Sequence, residues 1–159
     1  MVKKGEILMS KIRLYLESIA IPLGLGILVS LVLKDSFNYD SLIKPNFAPP
    51  AILFPIVWTI LYTLMGVSYA RIKGKGINHD EVRKIYYSQL FVNLVWPILF
   101  FGLEARGVAL AWIIVLIVLV IQMIRVFYAK DSIAAFLQIP YLLWLIFATY
   151  LNYQAYLLN

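Results

Sequence analysis

GVALAWIIVLIVLVIQMIRVF, residues 107–127, carries no charge before Arg125. A helix that crosses the hydrocarbon core of a bilayer needs about 20 mostly apolar residues, and this stretch supplies them. It is too long for a barrel strand and shows no period-2 alternation, so it reads as a transmembrane helix. Four more stretches have the same character. The first runs from Leu14 to Leu33, with Glu17 near its start, and the second occupies the uncharged interval between Lys44 and Arg71. The third runs from Ile85 to Leu103, and the fifth follows Asp131 and meets no further charge up to Asn159. The fold class is therefore an all-α integral membrane protein, a five-transmembrane-helix bundle. The reading gives one domain over residues 1–159, with helices at about 14–33, 50–71, 79–103, 107–128 and 132–156 and a lid loop at 34–50.

Composition supports the same solvent. Of 159 residues 63% are hydrophobic and 14% charged, and the mean hydropathy is +0.87. A small soluble domain leaves too much of its surface in water to carry that load. There is no cysteine, which removes disulfides, thiolate ligands and cysteine nucleophiles. The single histidine, His79, sits among Asp80, Glu81, Arg83 and Lys84, so no histidine-cluster metal site is expected. The net charge of +6 lies in short runs between apolar stretches, the pattern of a membrane face and not of a nucleic-acid surface. The first apolar run is followed by no small-residue cleavage site and is expected to stay in the protein.

Five spans put the two termini on opposite sides. Lys3, Lys4, Lys11, Arg13, Arg71, Lys73, Lys75, Arg83, Lys84, Arg125 and Lys130 fall on one side, and only Lys34, Lys44 and Arg106 on the other. The excess of basic residues on cytoplasmic loops then predicts a cytoplasmic N-terminus and an external C-terminus and lid. Local signals match these borders. Asn78 followed by Glu81 has capping-box spacing, and Asp131-Ser132 offers a second N-terminal cap. Lys73-Gly-Lys-Gly76 reads as a cytoplasmic turn.

Pro22, Pro55, Pro97 and Pro140 fall inside the predicted spans, and each removes a helical hydrogen bond. Packing bends explain any one of them; together with the embedded amides they point to a cavity. Those amides are Gln89, Asn93, Gln122, Gln138, Asn152 and Gln154. No acid or base lies mid-span, which weighs against ion-coupled transport. Gln89, Asn93 and Trp96 share one helical face by spacing. Asn93 suits either an interhelical bond or a ligand contact, whereas Gln122 suits the interhelical bond. Trp58, Tyr62 and Tyr69 form an aromatic stripe on the second helix, and Trp144, Phe147 and Leu151 one on the fifth. Core packing accounts for most such rings, yet an apolar pocket with a few amides and indoles is also what a flat hydrophobic ligand requires. Gly66 and Ala70, four apart, would let another helix approach closely.

Three separated stretches carry a family resemblance: Lys44-Pro45-Asn46-Phe47-Ala48-Pro49-Pro50 with Trp58, Leu61-Tyr62 and Met65-Gly66; Gln89, Asn93, Trp96-Pro97 and Phe100-Phe101-Gly102; and Pro140-Tyr141, Trp144 and Phe147 to Asn152. In order and spacing they resemble the TspO/MBR family, the translocator and tryptophan-rich sensory proteins, from about Asn38 onward. The resemblance implies a five-helix fold, often a homodimer. It also implies a pocket under the first loop for porphyrins, sterols and benzodiazepine-type drugs. By position that pocket would take in Phe47, Ala48, Asn93, Trp96, Trp144, Phe147, Ala148 and Leu151. With Trp58, Tyr62 and Gln89 from the spacing argument, these form the predicted ligand-binding set.

Three departures qualify the implied activity; in one, the family's Trp-Tyr pair before the lid motif is here Asn38-Tyr39. The family's tryptophan before Pro-Pro, implicated with the one matching Trp144 in light-dependent porphyrin breakdown, is here Phe47. The cholesterol-type motif wants a basic residue after its tyrosine, and residues 153–159 have none. The expected function is binding, with translocation, of tetrapyrroles and other flat apolar ligands in the membrane of a prokaryotic cell. The alternatives are a light-dependent protoporphyrin-degrading enzyme and a membrane stress or regulatory partner. No catalytic residue, metal site, required cofactor or nucleic-acid partner is expected; porphyrin or haem would enter as ligand.

Overall fold

A computed structural model describes residues 2–76 and 79–159. Six α-helices account for most of them: α1 Val2–Val32, α2 Leu53–Lys73, α3 Asp80–Pro97, α4 Arg106–Tyr128, α5 Ser132–Phe136 and α6 Ile139–Leu158. Taken with the turn that continues α3 and with α5 and α6 as one unit, they give five segments long and apolar enough to cross a membrane.

The ends pair off as five spans require. Asn159 bonds Ile43 of the lid, and Asn152 donates to the carbonyl of Arg106, so lid, α3–α4 turn and the end of α6 share one end of the bundle. At the other end Arg71 and Lys75 both reach Asp131, 3.1 Å in each case, joining the α2–α3 and α4–α5 connections. The Asp131 carboxylate also accepts from the Ala134 N–H at 3.0 Å, the cap expected for the fifth span. Asn78, the other expected cap, lies outside the described residues; α3 is preceded by His79, whose side chain makes no capping bond.

Three boundaries differ from expectation. Helix α1 begins at Val2 and not near residue 14, and its 31 residues would reach about 46 Å. Lys, Arg, Glu, Leu and Met are good helix formers, so the helix continues past the apolar segment. After Pro97 the backbone widens into a π-type turn over Ile98–Gly102, with the Leu103 N–H on the Ile98 carbonyl at 2.9 Å. The fifth span is broken at Leu137 and Gln138 into α5 and α6. The prolines divide accordingly. Pro140 sits in the first turn of α6 and Pro55 in the first turn of α2, where no helical bond is lost. Pro22 interrupts the interior of α1, and Pro97 stands where α3 passes into the π-type turn.

The core follows residue size and spacing. The buried positions of α4 are Ala109, Ile113, Leu116, Val120, Met123 and Phe127, alternating four and three apart. That heptad seam packs on α3, α5 and α6. Gln122 lies on the opposite, exposed face of α4 and makes no interhelical bond, contrary to expectation. It stands one turn from Arg125, where a polar side chain can reach toward the membrane surface. Helix α1 packs chiefly on α2, crossing at Gly66. A Cβ on Gly66 would overlap the Cα of Ile19 and the carbonyl of Ser18, so the small residue sets the closeness of the crossing.

Candidate functional site

A cavity of about 410 Å³ opens at the lid end, between α1, α2 and α3. Helix α1 contributes Leu23, Gly26, Ile27 and Ser30; the lid contributes Phe37, Tyr39 and Asp40. Helix α2 supplies Phe54, Trp58, Thr59 and Tyr62, and α3 with its widened turn supplies Asn93, Trp96 and Phe101. Gly26 faces the Tyr62 ring directly, and a Cβ there would overlap it. The absence of a side chain at this position therefore lets the Tyr62 ring lie against α1 at the cavity wall.

The polar groups on the wall are largely occupied. Tyr62 donates its hydroxyl to Asn93 Oδ1 at 2.7 Å, and Asn93 Nδ2 donates to the Tyr141 hydroxyl at 2.8 Å. Tyr141 in turn donates to Gln89 Oε1 at 3.0 Å. This chain crosslinks α2, α3 and α6 beneath the cavity floor. The Trp96 indole donates to Asn152 Oδ1 at 3.0 Å, and Thr59 returns its hydroxyl to the Pro55 carbonyl at 2.7 Å. Tyr39 donates to the Pro49 carbonyl at 2.8 Å, and Lys44 pairs with Asp40 at 3.0 Å while lying 4.5 Å over the Tyr39 ring. Desolvation and then the Asp40 carboxylate push the Tyr39 phenol above its ordinary value, so it stays a donor at neutral pH. What remains for a ligand is chiefly aromatic and aliphatic surface, with the Ser30 hydroxyl, the Trp58 indole N–H and the Asp40 carboxylate also on the wall. Trp58 leans on Tyr62 with centroids 5.3 Å apart, and Trp96 stacks on Phe100 at 5.2 Å.

The predicted residues divide into groups. Trp58, Tyr62, Asn93 and Trp96 line the cavity. Ala48, Ala148 and Leu151 line a separate void of about 40 Å³ between lid and α6, sharing Tyr39, Phe54, Trp96 and Phe101 with the larger space as a partition. Gln89 is fully buried below the floor, with its Nε2 4.0 Å from Met65 Sδ. Trp144 lies behind Phe54, at a centroid distance of 5.9 Å, and Phe147 lies behind Trp144 at 5.6 Å. Neither lines the larger cavity or the small void. Phe47 is 81% exposed on the outer surface of the lid. The two amide readings of Asn93 turn out to be compatible: it bonds across helices while one edge forms the floor. Residues not singled out from sequence are those of α1, together with Phe37, Tyr39, Asp40, Ala51, Phe54 and Thr59. Within the apolar part of α1 the available signals were Gly26 and Ser30.

The fold and the site together define an integral membrane protein of five spans with an aromatic, lid-covered cavity inside the bundle. Comparison with known proteins gives the family. The chain belongs to the TspO/MBR family, whose profile matches residues 18–157. It is 37% identical over 127 residues to the tryptophan-rich protein TspO of Chlorobaculum tepidum, covering 78% of this chain and 80% of that protein. The archaeal counterpart from Archaeoglobus fulgidus is 41% identical over 122 residues, 76% of this chain and 79% of its own. The human translocator protein is 35% identical over 119 residues, 72% and 70% respectively.

Proposed function

We propose that this membrane protein binds flat, apolar, aromatic ligands of the tetrapyrrole type in the cavity between α1, α2, α3 and the lid. One observation carries the reading: a cavity of about 410 Å³ faced with Phe37, Phe54, Trp58, Trp96 and Phe101, most of whose hydrogen-bonding groups already have protein partners. Such a wall selects by shape and stacking, because a polar ligand would lose its hydration and find few donors or acceptors in exchange. The volume falls within the usual range for small-molecule sites. Sterols meet the same apolar requirement but not the aromatic one. Porphyrin breakdown is the weaker reading, because Phe47 has no indole and stands on the outside of the lid. The lid is assigned to the external side, on the distribution of basic residues.

The test is tryptophan quenching of the purified protein in lipid nanodiscs, titrated with protoporphyrin, haem and a sterol, in dark and light. Saturable binding of the macrocycles, with a stable porphyrin Soret band under illumination, is expected. No saturation by any of the three would remove the reading, and rapid bleaching would put the enzyme ahead of the binder.

A further inference from the structure

The lid is held to the helices by a side chain from the far end of the protein. Asn159, just past α6, accepts the Ile43 N–H on Oδ1 at 2.9 Å and donates Nδ2 to the Ile43 carbonyl at 3.2 Å. The second Nδ2 hydrogen goes to the Ala155 carbonyl at 3.1 Å. One amide therefore satisfies both backbone groups of a lid residue, as a neighbouring strand would, while the α6 bond fixes its orientation. The rest of the lid is braced internally, on α2 and on the turn after α3: Tyr39 on Pro49 and Phe54, Lys44 on Asp40, and Phe37 on Phe101 at 4.5 Å. Leu42 packs on the cluster of Phe100, Ala109 and Ala155, beside the 40 Å³ void, while the Ile43 side chain is 61% exposed. Among the described residues the Asn159 amide supplies the hydrogen bonds between lid and α6. The same lid carries Phe37, Tyr39 and Asp40 over the large cavity.

From this geometry we infer that Asn159 is the latch of the lid, a positioning residue that sets how fast ligand exchanges with the cavity without touching it. The inference rests on the binding function proposed above. Asn159 lines neither cavity, so its loss acts on lid opening and leaves the contacts of the bound ligand unchanged. Two modest hydrogen bonds removed together correspond to roughly a tenfold rise in the open population.

Asn159→Ala and Asn159→Ser are compared with Tyr153→Ala, an exposed position on the same helix. Backbone hydrogen exchange of the 40–50 segment without ligand is read first. About tenfold faster exchange at Leu42 and Ala48, whose acceptors Tyr39 and Pro45 lie within the lid, in both Asn159 variants and none in the control supports the latch; unchanged exchange at these amides overturns it. This readout needs no ligand and stands apart from the binding function. Stopped-flow quenching by protoporphyrin is read second. The latch requires association and dissociation to accelerate by similar factors, with Kd within about twofold. A faster dissociation alone, with proportionally weaker Kd, would make Asn159 a contributor to the bound state and sink the latch. Failure of the unmodified protein to bind protoporphyrin would strike the proposed function and leave the exchange result intact.

Discussion

Trp58 and Phe47 separate two ways of reading an aromatic residue. Trp58 presents its face to the cavity, between Tyr62 and Tyr141. Trp58→Ala should weaken protoporphyrin binding by about 1–3 kcal/mol, by analogy with bases stacked on aromatic side chains. Phe47 lies on the lid's outer surface, and Phe47→Ala should leave Kd within about twofold in the same titration. Family position pointed to Phe47; only the course of the lid backbone shows which way the ring faces, and that was not legible in sequence. Asp131 is a residue whose role was half legible. The cap was visible in Asp131-Ser132, but the partners Arg71 and Lys75 come from another loop. Desolvation pushes this carboxyl up, yet the Ala134 N–H, the Lys75 ammonium and the Arg71 guanidinium outweigh it and hold it below the usual carboxylate range. A depressed folded pKa means stability that is present above the unfolded value, near 3.9, and is lost as pH falls through the folded one. Asp131→Asn should therefore lower the melting temperature at pH 7 and flatten its fall below about pH 4. The loss, on the order of 2 kcal/mol, is smaller than for a fully buried pair because both cations stay partly in water.

The helices divide by how much of their packing the sequence declares. In α4 the 4-3 alternation of Ala109, Ile113, Leu116, Val120, Met123 and Phe127 marks the buried seam, and the structure uses it. In α1 no such stripe exists, since Leu and Ile surround it, and its partner could not be read off. The mark of its packing sits on the other helix, at Gly66. Gly66→Ala should destabilise the protein by about 1–3 kcal/mol, because the new methyl meets backbone that cannot rotate away. Gly24→Ala, on α1 with open space at its Cβ, should be neutral or slightly stabilising, as alanine favours the helix. Thermal unfolding of both in one detergent checks the pair; equal effects would deny that Gly66 sets the crossing. The break at Leu137 and Gln138 was hidden for a different reason. An uninterrupted apolar run does not report a change of helix axis, and Pro140, read as a mid-span kink, instead starts α6.

For the molecule as a whole, the number of spans and their pairing at each end followed from charge and length, because lipid leaves few other arrangements. Orientation rests on eleven basic residues against three, from the sets named above. Asp35→Cys, in the lid, should react with an impermeant thiol reagent on intact cells, and Lys73→Cys only after permeabilisation. The chain has no cysteine of its own to confuse the readout. Reversed labelling would invert the protein, and labelling of both from one side would break the five-span account. The cavity was the least legible feature, since it depends on where α1 lies relative to Tyr62. Gly26 makes it testable: a side chain there must displace the Tyr62 ring and intrude on the cavity wall, whereas Gly24 on the same helix faces open space. The decisive measurement is the protoporphyrin dissociation constant of Gly26→Leu beside that of Gly24→Leu. If the ligand occupies this cavity, Gly26→Leu binds at least about tenfold more weakly and Gly24→Leu stays within about twofold of the unmodified protein. Unchanged binding by Gly26→Leu, in a variant that still folds, would place the ligand elsewhere in the bundle.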